Sequence, residues 1–254
     1  SRFVELAYVV FLTHKRHEKY RFVEGAYRSL HIPAALVKKI AVTGTPLMLN
    51  EVLWSLGQTF INSNYASHGI VVIAATNISG TAWNLFCVIM FAMGTAVSIL
   101  VGQRLGAGDT EGAVDVDNKL LFFTFASHIL IGLLIIVCAP LIPQMYNVEP
   151  EVRALASKCL MVLGGSLPIH ALIHCIYFTV RSGGKTVITF LFDCVYTWVV
   201  PAMLSFFLCR FTTLPIITIY LIVQFSDIIK LFIGLPMVKS GFWTKCVISD
   251  VREE

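Results

Sequence analysis

Apolar residues run through this chain in stretches of about twenty or more, broken by short polar segments. A helix rises 1.5 Å per residue, so about twenty apolar residues cross the roughly 30 Å of bilayer hydrocarbon. The pattern predicts six spans, at Thr43–Ala66, Ile70–Val101, Lys119–Leu141, Leu155–Val180, Val187–Cys209 and Leu214–Val238. Residues 1–13 are apolar but too short to cross. They carry neither an initiator Met nor a signal-peptide pattern, and read as the end of a truncated transmembrane helix. Residues 14–42 then form a cytoplasmic linker, 43–241 a six-helix membrane lobe and 242–254 a cytoplasmic tail. In the linker, Phe22, Val23, Ala26, Tyr27 and Leu30 recur at helical spacing. A helix lying on the membrane surface and a solvated basic linker both fit.

Within the spans the polar residues keep to lines. Glu51, Ser55, Gln58 and Asn62 fall at i, i+4, i+7 and i+11 of the first; Asn77, Thr81 and Asn84 repeat the arrangement in the second. The fourth span carries Ser166, His170, His174, Tyr177 and Arg181, and the sixth Tyr220, Gln224 and Asp227. Such lines either glue a bundle by interhelical hydrogen bonds, at about 1 kcal/mol per contact, or enclose a wet cavity. One gluing residue per helix would suffice, so their number favours the cavity. Gly94, Ser98, Gly102 and Gly106 form a separate seam of small residues, suited to close approach by another helix.

Composition sharpens the class. The chain is 57% apolar and 13% charged, about half the charge of an ordinary soluble domain, so it cannot cover itself with a water-compatible surface. The basic residues make no compact patch for nucleic acid. They alternate by side instead. With the linker inside, Arg104, Arg181, Lys185 and Lys239 also lie inside, leaving Arg153, Lys158 and Arg210 outside, as the positive-inside rule requires. Seven cysteines without a C-x-x-C pair argue against a disulfide framework or a zinc site.

Among single residues Glu51 stands out. A carboxylate a third of the way into a span costs about 2.5 kcal/mol or more against lipid, so it faces protein or water, and a buried one suits a group that gains and loses a proton. A hydrogen-bonded structural role is the alternative. His170 and His174 share a face, as metal ligands at i, i+4 do, but no carboxylate or cysteine stands at a matching spacing; proton relay, substrate contact and ordinary packing stay open. Asp227 and Lys230, three residues apart, can neutralise each other, and Asp193 reads as a hydrated residue near the inner end of its span.

Several stretches resemble the multidrug and toxic compound extrusion (MATE) family in its Firmicutes-type bacterial form. They are TGTPLMLNEVLWSLGQTF (Thr43–Phe60), IAATNISGTAWNL, GTAVSILVGQRLGAGDTEGA (Gly94–Ala113), VRSGGKT (Val180–Thr186), FDCVYTWVVPAM and IYLIVQFSDIIKLFIGLPMVKSGFWTK. LGAGD lacks the G-K-[ST] ending of a P-loop. The resemblance implies an all-α integral membrane fold, twelve helices in two lobes around a central cleft, of which this chain looks like the C-terminal lobe without its N-terminal partner. It implies antiport without covalent chemistry or cofactor: an organic, often cationic, compound leaves a bacterial cell as H+ or Na+ enters.

Glu51 falls in the helix where the family often places a functional acid, about one turn closer to Pro46 than in some members. His170 stands near the position of an acid in some sodium-coupled members, which favours the proton. Glu51, His170 and Asp227 are therefore the ion-coupling candidates, and Gln58, Asn77, Asn84, His174, Tyr177 and Gln224 the substrate-binding candidates. A lipid-linked saccharide flippase would share the lobe but calls for a row of cleft arginines. An intramembrane metalloenzyme would need the histidines to converge with an acid, and a membrane scaffold would not need the polar lines.

Overall fold

The computed structural model describes residues 2–16 and 34–244; the expected surface helix around Phe22–Leu30 lies outside them. The chain divides into two compact units, Ser1–Thr45 and Pro46–Glu254. The first contains α1 (Arg2–Lys15), whose apolar residues Phe3, Val4, Leu6 and Phe11 are exposed. The second is built from the helices that follow. They are α2 (Ala34–Ala66, from Pro46 onward), α3 (Ile70–Gly106), α4 (Thr110–Cys138), α5 (Pro150–Ser182), α6 (Thr186–Phe211) and α7 (Ile216–Lys239).

The helices outrun the apolar stretches that locate them because capping residues sit in the loops. Asp109 Oδ1 accepts the Gly112 backbone N–H at 2.8 Å and starts α4 nine residues before the expected Lys119. Pro150 opens α5 at its first position, where the missing N–H is not needed. At Asp109 the Gly112 amide and then the Arg104 guanidinium, 2.7 Å away, hold the carboxyl below its usual range.

Among the described residues five helices, α3 to α7, are long and apolar enough to cross a bilayer. α2 has the length but not the apolarity, because Asn50, Glu51, Gln58, Asn62 and Asn64 interrupt it. The chain is an all-helical membrane protein.

α5 is the hub, packed against α3, α4, α6 and α7. On its α4 side a Cβ at Gly132 would lie 2.3 Å from the Gly164 carbonyl oxygen, so the two backbones meet where neither has a side chain. On its α3 side Gly94 receives the rings of His174 and Phe178. The rest of the small-residue seam does not do the same: Gly102 and Gly106 face open space.

The expected tail also differs at its start. A short turn, Phe242–Thr244, buries Trp243 completely, with its indole N–H donating to the Val238 carbonyl at 2.9 Å. The apolar Phe-Trp pair makes docking against α4 and α5 more favourable than exposure.

Candidate functional site

A cavity of about 1210 Å³ opens between α2, α3, α5, α6 and α7. It is lined by Glu51 and Gln58 of α2, Asn77 and Asn84 of α3, His170, His174 and Tyr177 of α5, and Gln224 and Asp227 of α7. All the candidates named from sequence thus share one wall system. Trp54, Trp83, Phe91 and Phe178 add apolar faces between the polar groups. Three members of the polar lines are not among the lining residues: Ser55, Arg181 and Ser166, the last buried with its hydroxyl donating to the Leu163 carbonyl at 3.2 Å.

The acids pair differently from the sequence expectation. Asp227 and Lys230 make no direct ion pair with each other. His170 Nδ1 lies 3.1 Å from Asp227 Oδ2, joining α5 to α7, while Lys230 Nζ lies 2.7 Å from Asp193 Oδ1, joining α7 to α6. Neighbours three apart on a helix need both side chains to bend along its surface, whereas here each meets a partner on a facing helix.

Asp193 is therefore no hydrated boundary residue. Its side chain is 18% exposed, and its second oxygen accepts from Asn50 Nδ2 at 3.1 Å. It sits in a widened π-helical turn, Leu191–Val195; a second such turn spans Trp198–Ala202 at Pro201.

Asn50 ties this pair to the rest of the cleft. Its amide also donates to the Tyr177 hydroxyl at 3.3 Å, which in turn accepts from Arg181 at 3.4 Å. The Arg181 guanidinium lies over the Tyr177 and Phe178 rings and 4.0 Å from Glu51 Oε1. A polar chain thus runs Glu51, Arg181, Tyr177, Asn50, Asp193, Lys230 across four helices. Glu51 itself is not buried as expected: its side chain is 64% exposed toward the open cleft. The more enclosed acids of the cleft are Asp193 and Asp227, with side chains 18% and 21% exposed.

Asn50, Asp193 and Arg181 were not among the candidates. Asn50 lies one residue before Glu51, about 100° around the helix, so it falls outside the α2 polar line and that line gave no signal for it. Asp193 met the same argument as Glu51, a carboxylate within a span. Metal binding gains nothing from the histidines, since among the described residues no three His, Cys, Asp or Glu side chains gather as a metal site.

A family model, MatE, matches residues 46–207. The chain belongs to the MatE family. A probable multidrug resistance protein of Bacillus subtilis (strain 168), YoeA, is 22% identical over 215 residues, which is 85% of this chain and 46% of that protein. Among solved structures, a MOP superfamily transporter from Pyrococcus furiosus superposes with a TM-score of 0.75 at 16% identity, over 84% of this chain and 48% of that one. A MATE protein in complex with MaL6 gives 0.75 at 15%, with the same coverage. This MatE chain thus has the fold of those transporters and spans about half the length of the relatives it matches. The resembling stretches between residues 46 and 207 lie within the family match, and MatE proteins are transporters.

Proposed function

We propose that this MatE chain is the C-terminal lobe of a bacterial cell-membrane antiporter that exports organic compounds in exchange for protons, with an N-terminal six-helix lobe forming the other wall of the cleft. The observation that carries the proposal is the cleft itself. Five helices point polar residues into one large cavity, and its carboxylates are paired with basic groups on neighbouring helices rather than left bare. A ligand drives a conformational change only through different affinity for two states, and interhelical pairs of this kind are contacts that can be made in one state and broken in another. Glu51, exposed to the cavity beside Arg181, is the coupling group nearest the open side; Asp227 with His170 is the second. The linker and tail lie on the cytoplasmic side in this reading.

Glu51→Gln copies the protonated form at nearly constant volume. In protein expressed from the complete reading frame it should leave expression and folding intact while abolishing the pH dependence of substrate binding and impairing uphill efflux from vesicles. Normal pH-dependent efflux in this variant would contradict the role given to Glu51.

A further inference from the structure

The surroundings of Lys230 are those of a receptor for a cation. Its Nζ stands 5.1 Å from the centre of the Phe192 ring and 5.5 Å from that of Tyr196, with the Asp193 carboxylate at 2.7 Å. Two aromatic faces and a carboxylate are what proteins assemble to hold ammonium groups. The carboxylate is itself fixed: Asn50 holds its other oxygen, and the Tyr196 hydroxyl is anchored to the Ser226 carbonyl at 2.7 Å. Lys230 and Asp193 both line the main cavity, with the buried Phe192 and Tyr196 behind them, so the charged side of the cage meets the space where a ligand would lie. The Lys230 side chain is only 6% exposed. An ammonium so placed has given up its water for this cage.

We propose that Asp193, Phe192 and Tyr196 form a cation-recognition site that the protein fills with its own Lys230, and that an ammonium-bearing ligand binds there only by displacing that side chain. Lys230 thereby sets the specificity of the cleft. It lowers affinity for ligands with a compact positive head and leaves uncharged parts of a ligand to Trp54, Trp83 and Phe91. Ligand entry would then break the pair between Lys230 and Asp193 and loosen the contact between α7 and α6.

The proposal rests on the cleft being the ligand site, and benzyltrimethylammonium tests it, since its head matches the cage and its ring the aromatic walls. In purified protein from the complete reading frame, Lys230→Met removes the competitor and keeps the apolar stem. Affinity for benzyltrimethylammonium should rise roughly tenfold. Adding Asp193→Asn should remove the gain. Unchanged or weaker binding in Lys230→Met would overturn the proposal. If that binding still falls in Trp83→Ala, the cleft reading survives and the tethered cation alone fails; if it ignores both substitutions, both readings fail. A second measurement needs no variant. Cyanate carbamoylation of Lys230 in the wild-type protein, read by mass spectrometry, should quicken several-fold at saturating benzyltrimethylammonium. Unchanged or slowed labelling would contradict displacement.

Discussion

The two sides of α5 solve different problems with different residue types. Toward α4 it presents Gly164, Cys175 and Thr179, and the helices close until backbone meets backbone. Polar groups there are paired inward: Thr179 donates to Asp117 at 2.6 Å, and Thr124 meets Cys175 at 3.4 Å. Toward the cleft α5 presents His170, His174 and Tyr177, which meet Asp227 on α7, Asn50 on α2 and the rings of Trp83 and Phe91 on α3. The dry side is held by shape and the wet side by charge. Shape has one solution, because a packed interface does not deform continuously, whereas a charge pair can exchange partners. The wet side is thus where two states can be built, and the dry side is the frame that carries it.

The largest effect that tests this contrast is on the wet side. Asp193→Asn leaves the Lys230 ammonium buried without its counter-charge, and should cost about 3–5 kcal/mol in chemical unfolding of the purified protein. Adding Lys230→Met should recover most of it. A cost below about 1 kcal/mol would mean that water already serves the ammonium, and that charge does not hold this wall.

Next comes the dry side. Gly132→Leu places a side chain against the Gly164 carbonyl and should destabilise by about 1–3 kcal/mol, measured in the same way. Ligand affinity of the folded fraction should stay unchanged. A change in affinity without loss of stability would erase the distinction between frame and site.

The smallest effect lies outside both. Asp109, held below its usual range, contributes stability above the ordinary carboxylate pKa of about 3.9, and loses it as pH falls through the lower folded value. Asp109→Asn should flatten that acid limb slightly and leave behaviour at neutral pH almost unaltered. An effect on ligand binding would link the loop between α3 and α4 to the cleft.

The membrane class and the family were legible because apolar length and motif order are local properties of the chain. The cavity lining was legible too, since a polar line at helical spacing must face one way, as Gln58, Asn77, Asn84 and Gln224 do. Pairing was not. Whether Lys230 meets Asp227 or Asp193 depends on which helix packs beside α7, and a spacing of three within one helix carries no information about that. Glu51 misled for the same reason: its place in the span says that it avoids lipid, but not whether protein or the open cleft receives it. Gly102 and Gly106 have the spacing of an interface without facing one.

The most direct test of the wet and dry sides is a cysteine scan along α5 in a background without native cysteines, with a membrane-impermeant thiol reagent applied to purified protein. Cysteines at 170 and 174 should react, and substrate should protect them; cysteines at 167, 171 and 179 should stay silent. Equal reactivity around the helix, or silence at 170 and 174, would contradict the account.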